Sequence, residues 1–188
     1  PIKSSAASDV YKRQVIIGKG VTGIGSYAFS DCSSLTSVSI PDSVTSIGYG
    51  TFYGCSSLPG VNIPDGVTNI GWSAFEGCSS LTSVTIPDSV TSIGSGAFES
   101  CISLADVVWP GQITDLGANI LDGTAYYNDA NNWVDNILYV GPYLLSVANK
   151  DSVTSYTVRN GTRLMANSAF SDSKAMTSVT PVSYTHLT

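Results

Sequence analysis

Apolar residues recur along this chain with a period of 23 residues, each flanked by polar positions that recur with the same period. Phenylalanine forms one column of the repeat: Phe29, Phe52, Phe75 and Phe98. Matching columns hold Cys32, Cys55, Cys78 and Cys101, Leu35, Leu58, Leu81 and Leu104, and Val38, Val61, Val84 and Val107. A fixed period of this length predicts a solenoid, whose stacked coils share one continuous core.

A single repeat, residues 84–106, shows which elements each coil forms. Val84 and Ile86 alternate with polar Thr85, which is the period of a strand with one buried face. A Pro-Asp turn follows. The remaining inward positions, which suit a second strand and a short helical turn, are Val90, Ile93, Ala97, Phe98, Cys101 and Leu104. One coil cannot bury this set alone, but coils stacked about 4.8 Å apart pack each column on its own copies.

The repeat divides the chain into five segments. Residues 15–121 carry the repeats, and the fifth coil is degenerate, with Trp109 at an inward isoleucine position. Residues 122–157 depart from the pattern, and two apolar stretches around Gly141-Pro142 predict a β-hairpin there. Residues 158–181 form a final, truncated repeat in which Met165 matches the inward isoleucine column. We therefore predict about six coils.

The two ends, residues 1–14 and 182–188, carry no repeat column. We interpret both as translated adapter or vector sequence attached to an internal fragment, and leave them out of the fold prediction. The alternative is a natural tail at each end.

The column pattern Leu-x-x-Val-x-Ile-Pro, followed by Val-x-x-Ile-Gly-x-x-Ala-Phe-x-x-Cys, resembles the BspA-like subclass of leucine-rich repeats over residues 15–181. The resemblance implies a right-handed leucine-rich-repeat solenoid, mainly β with short helical turns, interrupted here by the β-hairpin insertion. Members of this subclass are mostly bacterial surface and secreted proteins used in adhesion or protein binding. A cell-surface or secreted location is therefore expected from the resemblance.

Composition excludes some partners. Only 12% of residues are charged and the net charge is −6, so the chain lacks the basic stripe that nucleic-acid binding needs. No apolar run approaches the roughly 20 residues of a membrane span, so we expect no membrane insertion.

The cysteine and aspartate columns have structural interpretations. Parallel side chains one coil apart keep Cβ atoms about 4.8 Å apart, wider than the mean of about 3.8 Å in disulfides, so we expect four buried free thiols. Asp42, Asp65 and Asp88 form a carboxylate column that Lys19 and Gly111 interrupt. A calcium ladder is the alternative that clustered carboxylates offer, but we interpret the column as a stack of solvated turns, and expect no metal and no cofactor.

The sequence offers few side chains that could act together as catalytic acids, bases or nucleophiles. The single histidine, His186, lies in the C-terminal segment, and no motif holds an acid pair near a nucleophile. We expect no catalytic residue and no enzyme activity.

Aromatic residues at variable positions are the candidates for partner binding: Tyr27, Tyr49, Tyr53 and Trp72. Tyrosine and tryptophan are favoured anchors at interfaces, although these rings would equally serve to cover coil edges. A second set belongs to the irregular segment and is better explained by packing: Tyr126, Tyr127, Trp133, Tyr139 and Tyr143.

The favoured function is a non-catalytic binding or adhesion module that engages a protein or glycan partner. The alternative is a structural spacer or stalk that carries another domain. An open coil face at Pro181 would present unpaired strand groups, so self-association through that end is also expected.

Overall fold

Each 23-residue repeat forms one turn of a solenoid. The computed structural model describes residues 13–181 as a β-solenoid of about seven turns with almost no helix. The predicted leucine-rich-repeat solenoid is thus confirmed, with about seven turns where we expected about six. Most of the two non-repeat end segments lies outside the described residues.

The strands are short and follow the repeat. They are β1 (Gln14–Ile16), β2 (Gly23–Ile24), β3 (Ser37–Ser39), β4 (Ser46–Ile47), β5 (Asn69–Ile70), β6 (Ser83–Thr85), β7 (Ser92–Ile93), β8 (Asp106–Val108), β9 (Asp115–Leu116), β10 (Trp133–Val134), β11 (Ile137–Val140), β12 (Tyr143–Val147), β13 (Ser155–Val158), β14 (Leu164–Met165) and β15 (Ser178–Pro181). Helix α1 (Ala125–Asn128) and a 3₁₀ turn (Ala130–Asn132) precede β10.

One side of the solenoid is a five-stranded parallel sheet in the order β2-β4-β5-β7-β9. Its register aligns Ile47 with Ile70 and Ile70 with Ile93, so the inward column of the sequence is a row in the sheet. The glycine after each of the last four of these strands is required sterically, whereas Gly25, after β2, has open space beside it. A Cβ on Gly71 would lie 2.6 Å from the Gly48 backbone, a distance that no side chain tolerates.

The other strand of each coil pairs only in part. Strands β1 and β3, and β6 and β8, are parallel pairs, but the third coil forms no strand between them. At one column of the repeat the amides of Thr36 and Ala105 donate to carbonyls one coil earlier. Pro59 occupies the same column just before the third coil and has no N–H to donate, so the ladder is interrupted there.

The core is built from stacked copies of single residues. The rings of Phe52, Phe75 and Phe98 are fully buried, with centroids 5.3 Å apart between successive coils. Phe29 continues the stack at 5.4 Å but is only half-buried, since it belongs to the first coil. The turns that carry these rings are not helical. The Phe75 amide donates across to Ala97 in the next coil while the Cys78 amide donates back to Phe75, and this alternation prevents a helix from propagating.

Threonine side chains add a hydrogen-bond ladder along the stack. Both the amide and the hydroxyl of Thr68 donate to the Thr45 carbonyl, at 2.9 and 3.2 Å. Thr91 and Thr114 repeat the arrangement one and two coils later. These hydroxyls therefore hold coils together and are already engaged within the fold.

The irregular segment contains the predicted hairpin, in which β11 and β12 pair antiparallel. The final repeat then pairs β14 with β12 and β15 with β13, both parallel. At another edge it contacts the fifth coil directly, because the Asn167 amide donates to the Leu116 carbonyl at 2.9 Å. The prediction that Met165 points inward is wrong. Met165 is exposed and the neighbouring Ala166 is buried, since the hairpin changes the geometry on which this repeat stacks.

Among the described residues, no helix has both the length and the apolar character needed to cross a membrane.

Candidate binding surface

The four predicted aromatic residues are all exposed. Tyr27, Tyr49, Tyr53 and Trp72, which we call the aromatic strip, expose between 38% and 65% of their side chains. They come from three consecutive coils, and Trp72 is the most exposed of the four. Their exposure is as predicted from the variable columns in which they lie; binding by them stays a prediction.

The repeat itself does not require these rings. Tyr49 and Trp72 share a column with Ser26 and Ser95. Tyr27 adopts a positive φ of 57°, and its copies in the next three coils, Gly50, Ser73 and Gly96, adopt positive φ as well. This conformation suits glycine and is unusual for a bulky side chain. The fold therefore tolerates small residues at every one of these positions.

Contacts between coils hold the rings in place. Tyr27 and Tyr49 meet edge to face with centroids 4.7 Å apart. The Tyr27 ring lies over Gly50, where an added Cβ would approach it to 2.7 Å. Trp72 lies in the same way over Gly94, where an added Cβ would approach the indole to 2.4 Å. The absent side chains of the two glycines make room for the two rings.

A groove of about 640 Å³ runs along the exposed face of the five-stranded sheet. Tyr49 and Trp72 form one wall. Its polar lining comes from Asn69, Ser92 and Asp115, which are the first residues of β5, β7 and β9 and stand in register. The Ser92 hydroxyl donates to an Asp115 carboxylate oxygen at 3.0 Å. The larger groove thus combines two aromatic rings with an amide and a carboxylate.

A second groove, of about 410 Å³, lies on the other side of Tyr49. It is lined by Tyr27, Tyr49 and Tyr53 together with the carboxylates of Asp31 and Glu76. Hydrogen bonding with Tyr49, and then burial, raise the pKa of the Tyr27 hydroxyl. Each residue of the aromatic strip therefore lines at least one of the two grooves, and Tyr49 lines both.

Carboxylates beside the strip were not singled out by the sequence argument. Glu76, Glu99 and Asp122 occupy one column, in the same positions of three successive coils. Burial, and then the charges of Glu76 and Asp122, raise the pKa of Glu99. Burial also raises the pKa of Asp122, against the opposing effect of Lys150. The sequence does contain a sign of these carboxylates, because the column begins with Ser30 and Tyr53 in the first two coils and is acidic in the next three.

The cysteine column is free of disulfides, as predicted, but it is not wholly buried. Cys55, Cys78 and Cys101 are buried, whereas Cys32 is exposed. The prediction of four buried thiols is wrong for Cys32, which lies in the first coil, where stacking is incomplete. Each buried thiol donates to a phenylalanine carbonyl of the previous coil, for example Cys78 to Phe52 at 3.2 Å.

The buried thiols are poorly suited to nucleophilic chemistry. Burial and the neighbouring thiols raise the pKa of Cys55 to about 12. A hydrogen bond with Cys101, and then burial, raise the pKa of Cys78 as well. The reactive form of cysteine is the thiolate, and at neutral pH neither residue supplies it.

The acidic residues and the histidine considered as metal ligands or catalytic groups do not form a cluster in the part of the chain that the structure describes. Residues 13–181 contain no group of three or more His, Cys, Asp or Glu residues placed to hold a metal ion. Asp42, Asp65 and Asp88 are exposed at the Pro-Asp turns. His186 lies outside the described residues.

The aromatics of the irregular segment pack inside the fold. Tyr139 and Tyr143 are buried, and the other three are half-buried and packed against the main core. The Trp133 indole N–H donates to the Tyr127 carbonyl at 2.7 Å, and the Tyr126 hydroxyl donates to the Tyr139 backbone carbonyl at 2.8 Å. Burial makes Tyr139 and Tyr143 packing residues, as we favoured for this set. Tyr127 and Trp133 also line a surface groove of about 480 Å³, so a purely structural role for these two rings stays a prediction.

The stacked coils, the parallel sheets and the phenylalanine column define the class of the protein as a leucine-rich-repeat solenoid. The family model described as the BspA type leucine rich repeat region matches residues 2–128 with six copies. The match covers more than half of the chain, and the protein belongs to this family.

Solved structures of bacterial leucine-rich repeat proteins are similar to the chain. One from Bacteroides ovatus is 23% identical with a TM-score of 0.41, and the alignment covers 90% of this chain and 60% of that one. A leucine rich cell surface protein from Faecalibacterium prausnitzii is 24% identical with a TM-score of 0.40, covering 94% and 62%. The T. pallidum leucine-rich repeat protein is 22% identical with a TM-score of 0.44, covering 61% and 77%.

The chain thus spans less than two thirds of the length of the Bacteroides ovatus and Faecalibacterium prausnitzii proteins. No curated protein matches it.

Proposed function

We propose that this repeat module is a non-catalytic binding or adhesion module of a bacterial cell-surface or secreted protein, and that the aromatic strip contacts its partner. The observation that carries the proposal is the continuity of the strip, since Tyr49 lines both grooves. Exposed tyrosine and tryptophan side chains beside a concave surface are typical of interface anchors. The surface location and the bacterial origin rest on the family resemblance.

The proposal can be tested by replacing each residue of the aromatic strip with serine, the residue that other coils have in the same column. Every residue of the strip has a serine copy at the same column in another coil: Ser73 for Tyr27, Ser26 and Ser95 for Tyr49 and Trp72, and Ser30 for Tyr53. A variant with all four serines should keep the thermal unfolding profile of the wild type, since these positions accept serine elsewhere. It should lose binding to arrays of extracellular-matrix proteins and glycans.

Ile102→Ser with Val108→Ser is the matched control, because these exposed apolar residues lie outside both grooves. The control should bind as the wild type does. Ligands that bind the wild type and the four-serine variant equally would refute the proposed surface.

The second candidate is a structural spacer that carries another domain, supported by the uninterrupted phenylalanine stack, which makes the regular coils one rigid body of packed side chains. A spacer predicts that the wild type binds nothing on the arrays. It also predicts that the full-length protein works equally well with the four-serine module.

A further inference from the structure

Charge along the chain is sharply divided. From residue 20 to residue 149 there is no lysine, arginine or histidine, because all eight basic residues and His186 lie outside that stretch. The same stretch contains eleven of the fourteen acidic residues, since only Asp9, Asp151 and Asp172 lie outside it. The whole aromatic strip belongs to this stretch. No lysine, arginine or histidine lines either groove, whereas Asp31, Glu76 and Asp115 do, so the charge beside the strip is negative and attracts cationic partners.

Both grooves place carboxylates beside aromatic rings. The larger groove has Asp115 with Tyr49 and Trp72, and the smaller has Asp31 and Glu76 with three tyrosines. A cation over an aromatic face is attracted by the ring quadrupole, and a carboxylate forms charge-assisted hydrogen bonds with lysine or arginine. The chain already contains one such pair, since the Arg159 guanidinium lies 3.9 Å from the centroid of the Tyr139 ring.

We propose that the two grooves receive lysine and arginine side chains of a basic segment in a partner protein. This inference rests on the proposed function and names the chemistry of its partner. A neutral glycan fits less well, because it leaves the carboxylates of both grooves without a cation, and because the Ser92 hydroxyl in the larger groove already donates to Asp115.

A pair of peptides tests the charge requirement. One is a peptide of about twelve residues with arginine and lysine alternating with glycine and serine. The other carries citrulline and acetyl-lysine at the same positions, which removes the charge while keeping the length. Titration calorimetry with the whole chain should show binding of the basic peptide only, and the affinity should fall as salt is raised.

Two double variants locate the site. Tyr49→Ser with Trp72→Ser, and Glu76→Gln with Asp115→Asn, should each weaken binding of the basic peptide about ten-fold, a loss consistent with cation–π and charged hydrogen-bond contacts. The control, Asp65→Asn with Asp88→Asn, removes the same charge from turns outside both grooves. It should change the affinity by less than about two-fold, because exposed distant charges are screened.

Each other outcome overturns the inference. If the groove variant Glu76→Gln with Asp115→Asn and the control Asp65→Asn with Asp88→Asn lose equal affinity for the basic peptide, the attraction is diffuse and the grooves are not a site. Binding of the neutral peptide, or of an N-acetylglucosamine oligomer, that depends on Tyr49 and Trp72 would reject the basic partner while leaving the proposed function standing. Should the basic peptide and every array ligand bind the four-serine variant as they bind the wild type, both proposals fail.

Discussion

In the regular coils a backbone hydrogen bond closes the proline turn, whereas in the fifth coil a tyrosine hydroxyl from the hairpin closes it. The Val67 and Val90 amides donate to the carbonyls of Pro64 and Pro87 at 3.0 and 3.1 Å. At the equivalent turn the Ile113 amide donates to the Tyr143 hydroxyl at 3.0 Å, and that hydroxyl donates to the Pro110 carbonyl at 2.8 Å. The hydroxyl thus stands between donor and acceptor and anchors the hairpin to the repeat array.

The two regions therefore obtain their stability from different sources. A residue in a regular column packs on identical copies above and below, as the phenylalanine rings do. In the irregular segment each contact is unique. The Tyr156 hydroxyl, for example, donates to the Ala148 carbonyl at 2.7 Å. A change in a column is felt by three coils, whereas a change in the hairpin breaks one specific contact.

The largest expected effect concerns thiol reactivity within the regular coils. Cys32 should react with an alkylating reagent in the native protein, whereas Cys55, Cys78 and Cys101 should react more slowly by on the order of a thousand-fold, because all three are buried. The raised pKa values of Cys55 and Cys78 further suppress the thiolate form of these two residues. Intact mass should show one label without denaturant and four with it. If the native protein takes four labels, the stack of coils opens readily. If it takes no label, the prediction of a fully buried cysteine column would be restored.

The next effect is the truncation of a stacked ring. Phe75→Ala should lower the free energy of unfolding by roughly 3–5 kcal/mol, because it leaves a cavity between two coils. Trp72→Ala, three residues earlier but exposed, should change it by no more than about 0.5 kcal/mol. Denaturant unfolding measures both. Equal losses would mean that Trp72 is a packing residue and is lost as a binding candidate.

A smaller loss is expected from the hairpin anchor. Tyr143→Phe removes only the hydroxyl, and leaves the Ile113 amide and the Pro110 carbonyl buried without this partner, at a cost of about 1–3 kcal/mol in the free energy of unfolding. Tyr49→Phe is the control, since Tyr49 is exposed. A negligible loss for Tyr143→Phe would show that the fifth turn can close directly, as the other turns do.

The smallest effect concerns the pH dependence of the regular coils. Because burial raises the pKa of Glu99 in the folded state, the folded protein binds its proton more tightly than the unfolded chain does. The contribution of Glu99 to the free energy of unfolding therefore falls as pH rises from the ordinary glutamate pKa towards the raised one. Glu99→Gln should be slightly more stable than the wild type at pH 7, and the advantage should disappear at pH 3. A variant less stable at pH 7 would contradict this sign.

Most of the regular fold could be predicted from the sequence because the same contacts recur in several coils, so the residues that make them recur at a spacing of 23 residues. The phenylalanine stack, the inward isoleucine row and the hairpin follow from period and alternation, and so does the exposure of Tyr49 and Trp72, whose copies are small. The carboxylates of the grooves could not be found in this way. Asp115 lies 43 residues from Trp72 in the sequence, and only the stacking of three coils brings it to the same groove.

By itself, the sequence determined the period, the column that each residue joins and which columns are buried, because these depend on side-chain polarity repeated at one spacing. Tertiary structure alone decided the matters that depend on a residue's particular neighbours. Cys32 is exposed because it lies in the first coil, and Met165 points outward because the hairpin alters the surface beneath it. The Tyr143 hydroxyl enters a turn 30 residues away, a contact that occurs once and so leaves no periodic signal.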